Sequence, residues 1–268
     1  MERSAWFCLA LAACQPQIIG TIGEQCDDHV LFGRPNAQTG LSSEQCAPRC
    51  SCSGKQWQPP EYGAADVAKL REWKLTRAFD PLVSDPYADP VPDEPGPDSV
   101  CAVVVESAAA HTYHLQSFAS AAAAQRAGAI PTHFGVCGLC SPLVDLAAYM
   151  HRNDLTAPVR ACGLANYGGT AEAHIACLQT LGFDFPCAQI WYFNTVHTGA
   201  VCSRECFAEL DKPYHTPDGA LNACLQCDED KSGPVFKAIA GRTRRNTGLA
   251  NAMCRPCSEV RALAHDYR

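Results

Sequence analysis

Cys137-Gly138-Leu139-Cys140-Ser141-Pro142-Leu143-Val144-Asp145-Leu146-Ala147 sets two thiols at CxxC spacing directly before a helix start. Ser141 suits the cap, Pro142 suits the first helical position, and Leu143, Leu146, Ala147 and Met150 form one apolar stripe. Thiols at the positive end of a helix dipole are held toward thiolate, the reactive form in disulfide exchange. His133, four residues upstream, is placed to assist as a cation or a base. The same two cysteines serve equally well as halves of structural bridges to other parts of the chain, or as metal ligands.

The cysteine count frames that choice. Of 18 cysteines, Cys8 and Cys14 belong to an N-terminal leader. The rest fall into two even groups: Cys26, Cys46, Cys50 and Cys52, then those from Cys101 to Cys257. Even counts on both sides of a linker are what bridges closed within separate units produce, and so many bridges persist only in an oxidising compartment. The leader has an apolar run from Ala5 to Ala13, long enough for a signal-peptide core and too short to span a bilayer. It ends in Leu11-Ala12-Ala13-Cys14, which resembles the lipobox of bacterial lipoproteins; the resemblance implies lipidation at Cys14. The expectation is an exported protein of the periplasm or cell surface, touching the membrane through a lipid anchor only.

A net charge of −7 argues against general nucleic-acid binding, while 47% apolar and 18% charged residues suit a folded globular protein. The expected organisation is a signal peptide at 1–13, a small Cys-rich module at 14–58, a helix and acidic Pro-rich linker at 59–99, and a disulfide-rich α+β or α/β main domain at 100–268. The Pro-rich stretch Asp80 to Asp98 reads either as an extended linker or as a strap along the main domain. In the main domain a buried strand begins at Cys101, and Thr112 to Ser117 alternates with Tyr113 and Leu115 on one face. An alanine-rich helix stops at Gly128, and Pro131 demotes the next segment, Ala129 to Phe134, to an edge strand or an irregular stretch. Further helices are expected from Ala171 to Leu181 and from Pro234 to Arg245, with Gln189 to Asn194 either strand or helix.

The order strand, helix, strand, CxxC, helix is similar, in part, to the thioredoxin-like family, and Phe185-Pro186 before Gln189 resembles that family's cis-proline facing the dithiol. The resemblance covers residues 101–210. It implies Cys137 as the attacking thiol, Cys140 as the resolving one, Pro186 in the substrate groove, and a protein or small thiol/disulfide as the substrate.

Two other constellations compete. Cys224/Cys227 and Cys254/Cys257 have the form of a structural zinc site, although in an oxidising compartment bridges are favoured and no cofactor is expected. Arg242, Arg244 and Arg245 form the densest basic patch; they suit a bound carboxylate or phosphate, or a helix C-terminus where cations offset the dipole. His111 and His114 fall on opposite faces of a strand, which disfavours a metal there. Three functions therefore stand open: thiol–disulfide exchange at Cys137/Cys140; a non-catalytic envelope or surface binding protein with every cysteine structural and an acidic ligand near Arg242–Arg245; and an exported metal-binding enzyme using His133 with neighbouring thiols.

Overall fold

A computed structural model describes residues 30–52, 55–91 and 96–267. The leader, Cys14 and Cys26 lie outside the described residues. The N-terminal segment forms two small ribbons: β1 (Leu31–Phe32) parallel to β2 (Cys46–Ala47), and β3 (Cys50–Cys52) antiparallel to β4 (Lys55–Trp57).

The central sheet is built from the segments whose apolar patterning is strongest. Short β5 (Lys74–Leu75) forms one edge of it. β6 (Val100–Ser107) is buried along its first half and pairs antiparallel with both β7 (Thr112–Phe118) and β8 (Ile130–Phe134). β5 adds parallel to β7, giving the order β5-β7-β6-β8. Pro131 lacks an N–H and sits in β8, an edge strand where that lack is tolerated. The alternation in β7 puts Tyr113 into the core. Before this sheet, α1 (Ala64–Glu72) leads into β5. Between β7 and β8, α2 (Ala121–Arg126) is capped by Ser120 and followed by Gly128 in a left-handed conformation.

Beyond β8 the chain is mainly helical. α1 packs on α3 (Leu143–His151), whose apolar stripe is buried at Leu143, Leu146 and Ala147. α4 (Thr156–Ala165) and α5 (Ala171–Gln179) lie against α6 (Phe185–Val201), and Thr170 caps α5. α7 (Ser203–Ala208), α8 (Ala223–Lys231), α9 (Gly233–Ala240) and the short α10 (Arg244–Thr247) complete the body. The helix expected from Pro234 to Arg245 is thus two, broken at Gly241, whose φ is +71°. No helix among the described residues is long and apolar enough to cross a membrane.

The Pro-rich segment lies as a strap where it is described. The Leu82 N–H donates to Gln189 Oε1 at 2.9 Å, and the Tyr87 hydroxyl donates to Asn194 Oδ1 at 2.8 Å. The Tyr87 ring stacks on His197 at 4.2 Å. The strap thereby covers one side of α6.

Seven disulfides are described, and they overturn the expectation that the first cysteine group closes upon itself. Cys46 bridges Cys254 and Cys50 bridges Cys257. Segment 30–57 is consequently clamped to the C-terminal tail, where Phe32 and Trp57 stack at 5.4 Å and pack with Val260 and Ala262. Parity cannot separate the two cases, because two bridges crossing between groups leave both counts even. The remaining bridges are Cys101–Cys137, Cys140–Cys187, Cys162–Cys177, Cys202–Cys227 and Cys206–Cys224. Such a set of bridges belongs outside the reducing cytosol, and this is an exported, disulfide-rich protein.

Candidate functional site: an arginine-lined helical cavity

The CxxC segment is a structural crossing point. Cys137 is bonded to Cys101 on β6, and fully buried Cys140 is bonded to Cys187 on α6. The pair therefore has no common disulfide to open, which corrects the attacking and resolving roles expected for Cys137 and Cys140. Pro186 is corrected too. It lies in the first turn of α6, which Asp184 caps by accepting from the Cys187 N–H at 3.1 Å, and no described peptide bond is cis. Proline belongs at that point of a helix because its missing N–H has no intrahelical partner to lose. Gln189 to Asn194 is helical rather than a strand.

His133 is fully buried, and both ring nitrogens are engaged. Nδ1 lies 2.9 Å from the Phe134 carbonyl and must donate to it, so Nε2 accepts from the Ser141 hydroxyl at 2.6 Å. Ser141 Oγ in turn accepts from the Gly138 N–H at 2.8 Å, so it braces the CxxC turn while Pro142 stands at the cap of α3. Burial and the nearby Arg242 hold the His133 pKa well below the usual range, so the ring stays neutral. His133 has no nitrogen left to serve a thiol. Gly138 is required by packing: a Cβ there would lie 2.4 Å from the Ile239 carbonyl and 2.7 Å from the Gly241 nitrogen.

Arg242 also departs from its expected role. It is fully buried, and its guanidinium donates to the Cys140, Thr132 and Ser141 carbonyls and to Thr132 Oγ1, at 2.7–2.9 Å. With those bonds made it ties β8, the CxxC turn and α3 together and faces no ligand. The zinc alternative is closed by chemistry, because Cys224, Cys227, Cys254 and Cys257 are all consumed in bridges. Among the described residues no group of three or more His, Cys, Asp or Glu side chains is arranged to hold a metal.

Arg244 and Arg245 do reach a site. They line a half-open cavity of about 640 Å³ between α4 and α10, within the size range of small-molecule sites. Its walls are largely apolar and aromatic, with Leu155, Val159, Trp191, Tyr192, Leu225 and Phe236. α4 and α6 approach closely at Gly163, where a Cβ would come within 2.7 Å of Thr195 Cγ2. The Cys162–Cys177 and Cys206–Cys224 bridges pin the surrounding helices.

The polar groups of the wall differ in how far they are satisfied. Glu229 is flanked by Arg245 at 2.7 Å, Lys237 at 3.0 Å and Arg255. Burial raises its pKa, but the three cations override that and bring it to about 2. Asp228 accepts from Thr198 and from Asn194, and burial pushes its carboxyl upward. Arg244 is different. One of its nitrogens donates to the Arg152 carbonyl, its guanidinium lies 5.5 Å from the centre of the Tyr149 ring, and no carboxylate pairs with it among the described residues. Burial lowers its pKa to about 10, so it remains charged at neutral pH. The Tyr149 hydroxyl beside it and the Trp191 indole N–H face each other in a contact too poorly aligned to count as a full hydrogen bond, and His174 Nε2 is buried without a partner. Unsatisfied groups are unusual in a folded interior, where nearly all are paired, and these line the cavity.

Residues 171–263, which supply α5 to α10 and most of this cavity, match a family of unknown function (DUF8771). No curated protein and no solved structure matches the chain.

Proposed function

We propose that the protein is a non-catalytic, exported binding protein in which the cysteines are staples and the helical cavity holds a small ligand bearing an anionic group. The observation that carries this reading is Arg244, a partly buried cation with one backbone partner, no carboxylate in contact, and a cavity in front of it. A charge taken partly out of water with one hydrogen bond to offset it gains from a ligand that completes its partners. The apolar run at the N-terminus and Leu11-Ala12-Ala13-Cys14 support export with a lipid anchor at Cys14, which would hold the cavity close to a membrane surface.

Titration of the full chain with 8-anilinonaphthalene-1-sulfonate, an anionic aromatic probe, tests the reading. Saturable binding of one probe per chain is expected. Arg244→Met should weaken it roughly ten- to a hundredfold, the worth of one charge-assisted hydrogen-bonded contact. Absence of saturable binding, or equal affinity in Arg244→Met, overturns the reading.

A further inference from the structure

We infer that the cavity's ligand is a single-chain anionic amphiphile, a long-chain carboxylate held by its headgroup at Arg244 with its alkyl chain along the helical walls. This rests on the binding reading and specifies the substrate class of the same site.

Charge selects the headgroup. In a chain of net charge −7, the cavity wall carries five basic residues against three acidic ones. Lys237 and Arg255 pair with Glu229, and Arg245 pairs with both Glu229 and Glu259. Asp154 is occupied by the Tyr214 hydroxyl at 2.7 Å and the Thr156 N–H at 2.8 Å. Arg160 and Arg244 make no contact ion pair among the described residues, and Asp154 offsets part of the Arg244 charge from further away. Such a wall selects an anion and disfavours a cationic or zwitterionic ligand.

Shape and polarity select the tail. A small anion such as phosphate would leave most of a 640 Å³ apolar cavity unfilled. The apolar lining also continues outward: Leu164, Tyr167, Val196, Phe207 and Leu210 belong to the cavity wall and are exposed to solvent. A folded protein seldom leaves a contiguous set of large apolar side chains in water without a use. An unbranched chain leaving the interior past that rim buries both surfaces at once. The headgroup end offers the Arg244 guanidinium and the Tyr149 hydroxyl, whose Trp191 neighbour can only donate, so both can donate to a carboxylate.

The experiment compares octanoate, decanoate, laurate and dodecanol by calorimetry on the full chain, with 8-anilinonaphthalene-1-sulfonate as the reference ligand. Affinity should rise roughly threefold to fourfold for each added methylene from octanoate to laurate. Dodecanol should bind more weakly than laurate, and Arg244→Met should weaken laurate while leaving dodecanol unchanged. If the reference probe binds through Arg244 but affinity does not grow with chain length, the amphiphile inference fails and the binding reading survives. Laurate and dodecanol of equal affinity would remove the anionic requirement and overturn the inference. If neither the probe nor any chain binds, both fall.

Discussion

Replacing Arg242 by Met separates a structural arginine from the one proposed to bind ligand two residues on. The guanidinium of Arg242 is completely buried and makes four hydrogen bonds, to Thr132 O, Thr132 Oγ1, Cys140 O and Ser141 O. Hydrogen bonds to a charged group contribute about 1.5–3 kcal/mol each, and a buried acceptor left unsatisfied costs about 1–3 kcal/mol. Thr132 Oγ1 keeps a partner in Tyr267, and removing the buried charge recovers its own desolvation, so the full sum is not lost. The net loss should be roughly 3–5 kcal/mol, in the range that singles out a broken buried network. Arg244→Met removes one charge-assisted hydrogen bond to a backbone carbonyl but also removes the desolvation cost of its thinly compensated charge, so stability should change by less than about 1 kcal/mol. Guanidinium chloride unfolding of the oxidised proteins reads this as a lower midpoint with an unchanged slope for Arg242→Met. Equal stability of Arg242→Met and the parent would refute the assignment of Arg242 to the fold.

The same structure fixes three other outcomes. Gly138→Ala should destabilise by roughly 2–4 kcal/mol, because the new methyl meets the backbone of Ile239–Gly241, which has no flexible side-chain end to move; a thermal midpoint equal to the parent's would contradict it. Glu229 has a folded pKa depressed from 4.5 to about 2, so its contribution is present above 4.5 and is lost as pH falls through 2. Glu229→Gln should therefore cost roughly 3 kcal/mol at pH 7 and nothing near pH 2, and a gap independent of pH would be the contrary result. Peptide mapping of the oxidised protein should recover Cys137 linked to Cys101 and Cys140 linked to Cys187. Recovery of a Cys137–Cys140 peptide at any mild reductant concentration would contradict that pairing.

Local patterning makes much of the framework readable. The alternation of β7, the continuous apolar start of β6, Pro131 on an edge strand and the Thr170 cap of α5 each express a local rule, and each appears where that rule places it. α6 is obscured because Phe185-Pro186 and Trp191-Tyr192-Phe193 carry strong turn and strand preferences; in the fold, Asp184 caps the helix and packing against α4, α5 and α9 outweighs those preferences. The disulfide connectivity is not readable at all, since spacing and parity are the same for Cys46 bonded nearby or bonded across the chain to Cys254. The basic patch is visible, but only tertiary structure separates Arg242, turned inward to carbonyls, from Arg244, turned to a cavity. The cavity itself is assembled from α4 to α10 and leaves no contiguous motif; the one local trace is the helical Gly163, whose missing side chain admits α6.

Hydrogen exchange read by mass spectrometry, with and without saturating 8-anilinonaphthalene-1-sulfonate, tests the location of binding most directly. Added protection is expected in peptides from α4, α6 and α10, with the sheet strands β6 to β8 unchanged and the protection lost in Arg244→Met. Protection confined to the sheet, or spread evenly over the chain, would contradict the assignment of the cavity as the binding site.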